Sequence, residues 1–555
     1  MTSSYRHDLL RRVYGADSAD AVSARLEDRL EREPVRDGEH RAAPAPVWVI
    51  SYADQFQAAS NTPLVELHRL LSGQLADHID GVHILPFYPW SSDGGFAVED
   101  YEQVDPRYGT WRDVEALSDE FTVMFDAVIN HMSAESPWFE QFLAGDPKRA
   151  GFFRTGDPSI DTSEVVRPRT HPLFTAFDRP NGEVVHVWTT FSADQVDLDY
   201  ANPDVLLRIV DVLLGYATHG AGAIRLDAIG FLWKDESTSS IHLPGTHDLI
   251  KLLRSCLDQV APGTLLISET NVPHAENISY LDEAEPEVHA VYQFPLAPLV
   301  AHAVLTGESD VLKTWAAEID DIVGEDRTFL NFLASHDGIG VRPVEGLLSV
   351  EDLEVLTGAC LDVGGQISYR SLPDGSTAPY ELNTTWLDLM AHGVDEDLAI
   401  ARHLAAHAVM LALPGIAAIY VHSLFGSSND VASFEKSGHR RDLNRQRFTD
   451  VEALEKQLAT EGTRERVIFD GLGELIRRRK ASPAFHREGR SLVLDSPPGT
   501  FAIERRYGDE VAVCLVNLSN EPASVEGLSA GLYDLITGEV APAELAPYAS
   551  AWLRP

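Results

Sequence analysis

The stretch GAIRLDAIGF, Gly222 to Phe231, sets an arginine and an aspartate two residues apart in an otherwise apolar run. Side chains alternate faces along an extended chain, so Arg225 and Asp227 point the same way from a strand whose other residues seek a core. Buried ion pairs are poor stabilisers, because desolvation cancels much of the Coulomb gain, and perturbed carboxylates gather at functional sites. One such strand leaves a structural pair and a catalytic one both open. The chain repeats the pattern on either side.

Short apolar segments alternate with helix-like stretches from about residue 46 to about residue 480, giving the candidate strands VWVISYA, GVHILPF, FTVMFDAVINH, GAIRLDAI, TLLISETN, AVYQFP, TFLNFLASHD and GIAAIYVHSLFG. This is the pattern of βα units around a parallel sheet, and eight of them predict an α/β fold, a closed (β/α)8 TIM barrel. The alternative, an open doubly wound sheet, lacks support because no GxGxxG follows the first strand. Residues 1–45 read as a charged helical arm, 46–483 as the barrel, and 484–555 as a small antiparallel β domain. Two connections exceed plain βα loops and should form insertions, at about 132–190 and about 339–400. The second contains GGQISYRSLPDGSTAPYELN, whose Pro-Asp and Asp-Gly pairs favour turns. Long loops of this kind tend to be lids or binding loops.

A chain of 555 residues with 44% hydrophobic content can bury a large interior, and no 18-residue apolar run offers a membrane span. MTSSYRHDLLRRVYG lacks the apolar centre of a signal peptide, so a cytosolic protein is expected. Cys256, Cys360 and Cys514 are widely spaced and odd in number, which argues for reduced, buried thiols. A net charge of −42 opposes nucleic acid and anionic lipid as partners and requires local arginines wherever an anionic substrate binds.

Catalytic groups of such barrels sit at the C-terminal ends of the strands. Those ends carry Asp54, then Asp126, Asn130 and His131, then Arg225 and Asp227, then Glu269, and finally His336 and Asp337. Singly, a strand-end aspartate reads as a loop cap and a histidine as a core residue. Together, three converging carboxylates suit a glycosidic bond. One attacks the sugar, an acid of raised pKa protonates the leaving oxygen, and a third stabilises positive charge on the ring. An arginine two residues from the nucleophile keeps that aspartate ionised.

DAVINH, GAIRLDAIG, LLISETN and FLASHDG, in this order, resemble the four signature regions of the α-amylase clan of retaining glycoside enzymes. The resemblance implies Asp227 as nucleophile, Glu269 as general acid/base and Asp337 as transition-state stabiliser, with Arg225, His131 and His336 holding the glucosyl ring. Within the clan, ISYADQF, VHILPFYPWSSDGGFAVEDYEQVDPRYG, INHMSAES, SHDGIGV and RRDLNRQRF resemble the sucrose phosphorylase subfamily. That likeness places Asp54, Tyr101 and Arg445 at the glucose-binding subsite, although those enzymes usually have histidine where Tyr101 stands. SETNVPHAENISYL, ISYRSLPDGSTAPYELN and the N-terminal arm look more like glucosylglycerate phosphorylases, which cleave 2-O-α-glucosyl-glycerate with phosphate to give α-glucose 1-phosphate.

The resemblance implies a metal-independent enzyme without a cofactor, whose partners are a small glucoside and inorganic phosphate, the latter a substrate. Arg169 in VVRPRTHPLF and Arg370 in SYRSLPDG, one in each insertion, are candidates for binding phosphate or the glycerate carboxylate. Sucrose, sucrose 6-phosphate or glucosylglycerol could be cleaved by the same machinery, and an α-glucosidase is a further alternative. A non-catalytic amylase-like partner protein would have lost carboxylates that this chain retains.

Overall fold

The computed structural model describes residues 2–35, 43–169, 171–324, 326–372 and 376–555. The turn pairs expected at Pro373, Asp374 and Gly375 lie outside the described residues. All eight candidate strands form one closed parallel barrel: Val47–Ser51, Gly81–Ile84, Thr122–Ala127, Ala221–Leu226, Leu265–Ser268, Ala290–Tyr292, Thr328–Asn331 and Ile416–Tyr420, each paired with its neighbours in chain order and the last closing onto the first. Branched and aromatic residues fill these strands, which are buried along almost their whole length. Such unbroken burial is what a sheet walled on both faces requires. Closure excludes the open-sheet alternative.

The connection after the third strand carries the helix Pro137–Ala144 and the hairpin Phe174–Asp178/Val184–Trp188. The one after the seventh strand carries a sheet in which Thr377–Asn383 lies between Ile339–Gly340 and Gln366–Ser371. The helix Glu396–Ala412 spans the expected end of that insertion at residue 400 and packs its apolar face into the core.

The helices Ser3–Tyr14 and Ala16–Arg32 are docked on the outside of the barrel. Leu9, Leu10, Leu26 and Leu30 are buried, and the Arg6 guanidinium reaches Glu27, Ser255 and Gln259. At the other end, Arg490–Val493, Thr500–Tyr507, Glu510–Asn517, Tyr533–Asp534 and Ser550–Arg554 form an antiparallel sheet. The strand period of two sorts its side chains: Phe501, Ile503, Cys514 and Trp552 join the main core, while Ala502, Leu515, Ala551 and Leu553 form a second, smaller one. Two buried arginines meet at the seam between this sheet and the barrel, Arg479 from the helix Arg464–Ala481 and Arg505 from the sheet, each 6.0 Å from the Phe485 ring. Arg479 donates to the carbonyls of Leu411, Leu413 and Gly415, and Arg505 to those of Ala412 and His486. Cys256, Cys360 and Cys514 are free and buried.

Candidate active site

Strand ends deliver the charged groups to one mouth of the barrel. Third and fourth strands run in register, with Asp126 opposite Arg225. Arg225, 1% exposed, bonds Asp126 and reaches Asp227 at 2.8 Å and Glu269 at 3.8 Å. His83 on the second strand donates to the far oxygen of Asp126 at 2.6 Å. Burial works to raise Asp126, but Arg225 and His83 outweigh it and keep its carboxyl below the ordinary range. Behind His131, Lys234 bonds Asn130 at 2.6 Å and Asp197 at 3.0 Å.

Ala228, next after Asp227, has φ +48°, a left-handed conformation that costs a non-glycine residue about 1–3 kcal/mol. The turn aims its N–H at Glu269 Oε2, 2.9 Å away, and so ties the fourth strand end to the fifth. Burial raises Asp227 well above the ordinary carboxylate range, with Arg225 opposing and the neighbouring acids reinforcing. Burial raises Glu269 in the same way. Arg225 stands closer to Asp227 than to Glu269 and so favours the ionised form of Asp227 more strongly, while the Ala228 N–H favours that of Glu269.

Asp337 has a different environment. Burial opposes its ionisation, but the Arg441 and Arg445 guanidiniums outweigh it and hold it well below the usual range. Arg441 lies 2.6 Å from Asp337 and grips Glu381 at 2.7 Å. Burial lowers His336, leaving its ring neutral and stacked on Phe96 at 4.6 Å between centroids.

These groups surround a cleft lined by Asp227, Glu269, Asp337, His131, His336 and Arg169 among the sequence candidates. Arg225 lies beneath its floor. Arg445 is held behind Asp337, donating from Nε to the His336 carbonyl at 2.8 Å and lying 3.7 Å from the Asp337 carboxylate.

Besides Arg225 and Arg445, three expected residues are not among the cleft lining. Asp54 is paired at 2.7 Å with Arg447, which is stacked on Tyr52. Tyr101 is buried and donates to the carbonyls of Val128 and His131. Arg370 is bound to Glu345 at 2.5 Å and faces an outer crevice.

The sequence reading missed Asp93, Phe96, Arg342, Glu381 and Arg441, all in the lining. Asp93 had a signal, the Asp-Gly-Gly of SSDGGF. All three residues have positive φ, and a Cβ on Gly94 would sit 2.8 Å from Arg445, so the loop brings bare backbone against that arginine. Among the described residues no group of three His, Cys, Asp or Glu side chains is arranged to hold a metal ion. No helix among them is long and apolar enough to cross a membrane.

The alpha amylase catalytic-domain family matches residues 78–341. A glucosylglycerate phosphorylase of Allomeiothermus silvanus is 45% identical, over 100% of this chain and 99% of the relative. The chain belongs to the sucrose phosphorylase subfamily of the alpha-amylase family. A glucosylglycerate phosphorylase of Escherichia coli is 41% identical over 94% of this chain and 93% of its own. The solved structure of sucrose 6F-phosphate phosphorylase from Thermoanaerobacter thermosaccharolyticum superposes with a TM-score of 0.74 at 25% identity, covering 86% of this chain and 95% of that one. Like the subfamily, the chain is a phosphorylase of the glycosyltransferase type.

Proposed function

We propose that this enzyme reversibly phosphorolyses 2-O-α-glucosyl-glycerate to α-glucose 1-phosphate and glycerate by double displacement. The observation that carries the reading is a cleft with three carboxylates on its floor and arginines on its rim, in a chain of net charge −42. The names of its most similar relatives support the acceptor.

Asp227 attacks the anomeric carbon and forms a β-glucosyl ester while Glu269 protonates the departing O2 of glycerate. Asp337, held ionised by Arg441 and Arg445, stabilises the positive charge that grows on the ring. Phosphate then enters from the same face and gives up a proton to Glu269. Its oxygen displaces Asp227, so the α configuration is retained. Arg169 lies with its guanidinium 5.7 Å from the Tyr380 ring on the cleft wall and supplies positive charge for the incoming anion. The reaction takes place in the cytosol, where both phosphate and glucose 1-phosphate are at hand.

The test is incubation with α-glucose 1-phosphate and glycerate, glycerol, fructose or fructose 6-phosphate, following phosphate release. Glycerate should be the best acceptor. Faster release with fructose or glycerol sinks the acceptor assignment and leaves the phosphorylase mechanism standing.

A further inference from the structure

Five arginines stand in or beside the cleft mouth, and most have their charge met by the protein. Arg441 is held between Asp337 and Glu381, Arg370 by Glu345, and Arg445 by Asp93 and Asp337. Arg342 differs. Its only ion-pair neighbour among the described residues is Glu276, at 4.0 Å; its Nε, like Arg370 Nε and Arg445 Nη2, is buried with no hydrogen-bond partner, so the weak ion pairing is what sets it apart. The guanidinium nevertheless belongs to a side chain only 12% exposed, so it has given up most of its water without gaining a full set of acceptors.

The backbone fixes where that charge stands. Ile339–Gly340 pairs with Thr377–Asn383, and the Val341 N–H donates to the Tyr380 carbonyl at 3.0 Å, so Arg342 follows Asp337 by five residues on a strand-anchored path. A Cβ on Gly340 would lie 2.8 Å from the Asn271 amide, two residues beyond Glu269. This close approach sets the Arg342 segment directly against the segment that carries the proton donor. Glu269, Arg169, Arg342, Tyr380 and Glu381 all line the same cleft, with the Arg169 guanidinium 5.7 Å from the Tyr380 ring.

We infer that Arg342 binds the carboxylate of the acceptor and sets the preference for glycerate over uncharged polyols. This rests on the glucosylglycerate reading above. In glycerate the carboxyl carbon is bonded to the carbon that bears the glycosidic oxygen. Wherever Glu269 meets that oxygen, the carboxylate therefore lies beside it, in the cleft that Arg342 also lines. A guanidinium offers a carboxylate two parallel N–H bonds, and an arginine lacking internal acceptors has these donors to give. Phosphate later occupies the same space, so a change at Arg342 also weakens phosphate. The ratio of glycerate to glycerol use is the quantity that isolates the carboxylate.

The experiment measures kcat/KM for glycerate and glycerol with α-glucose 1-phosphate as donor, in wild type, Arg342→Gln, Arg342→Met and Arg370→Gln. Either Arg342 variant that folds, judged by circular dichroism, decides the matter. The expected result is a glycerate-to-glycerol ratio lowered tenfold or more, arising mainly in KM for glycerate, with Arg370→Gln keeping the wild-type ratio. A ratio within twofold of wild type in a folded Arg342 variant overturns the inference and leaves the glucosylglycerate reading intact. A wild type that prefers glycerol overturns both.

Discussion

The floor and the rim of the cleft are built on opposite terms. On the floor, Asp126, Arg225, Asp227 and Glu269 come from adjacent barrel strands, and each has its charge answered at close range by another. At the rim, Arg169, Arg342 and Tyr380 come from the two long insertions, Arg169 lies 5.7 Å from the Tyr380 ring, and Arg342 keeps a buried Nε without a partner. Parallel strands in register fix the floor to within a side chain's reach, so bond-breaking is preorganised whatever leaves or enters. The rim holds its cations less fully paired, and an anion completes it. Catalysis and acceptor choice are thereby separable, and the same floor can serve subfamily members with different acceptors.

The sharpest break comes at Asp227. Asp227→Asn should lower turnover by several orders of magnitude in both directions, because no other group can form the glucosyl ester. Circular dichroism should show an intact fold. A variant keeping more than about a tenth of wild-type activity would remove Asp227 from the role, since general participation alone is not worth so little.

Next is Glu269→Gln, expected to lower phosphorolysis by about 10²–10⁴-fold, the usual worth of a positioned acid. In wild type the acid must be protonated, so phosphorolysis should fall as pH rises through the raised Glu269 value, and that alkaline limb should vanish in the variant. Stability follows the same sign. A group raised on folding contributes fully below its unfolded value and loses that contribution as pH rises through the folded one. The melting temperature of Glu269→Gln should therefore match wild type at acid pH and exceed it by about 1–3 °C at neutral pH. Identical melting curves across this range would contradict the burial-driven shift.

At the rim, Arg169→Gln should raise KM for phosphate by roughly tenfold, from loss of a charge-assisted bond worth about 1.5–3 kcal/mol, with a smaller change in kcat. An equal fall in kcat and kcat/KM would move Arg169 to the floor's side of the comparison. The smallest effect is expected outside both regions. Asp54→Asn should leave kcat/KM within about threefold, while loss of its pair with the largely buried Arg447 lowers thermal stability by a few degrees. A loss beyond tenfold would return Asp54 to the glucose subsite.

The same division decides what the sequence makes legible. Apolar runs mark all eight strands, and five of them end in charged residues that include the three floor carboxylates, because strand period and strand-end position are local properties. The rim is set by non-local contacts. Arg370 and Arg342 are both arginines in one insertion, and nothing nearby in sequence says that Glu345 neutralises the first while the second faces the cleft. Arg441 was passed over for Arg445, four residues on, although Arg441 makes the shorter contact with Asp337, 2.6 Å against 3.7 Å. That choice depends on how a 3-10 turn at Arg440–Asn444 points, which the motif RRDLNRQRF does not reveal. Asp54 ends its strand segment as an active-site residue should, and its ion pair with Arg447, distant in sequence, could not be read from the motif.

The paired arginines at the seam between barrel and terminal sheet bear on how the molecule responds to dissolved ions. Arg479 and Arg505 are clasped by carbonyl oxygens around the C-terminal end of the helix Glu396–Ala412, where the peptide dipoles point their negative ends. Dissolved electrolyte screens exposed charges within about 8–10 Å in ordinary buffers, but it reaches buried contacts far less. The crowded acidic exterior should therefore relax as salt is added, while this seam is left nearly unchanged. Barrel and sheet should stay joined from dilute buffer to brine and melt in one cooperative transition at either extreme.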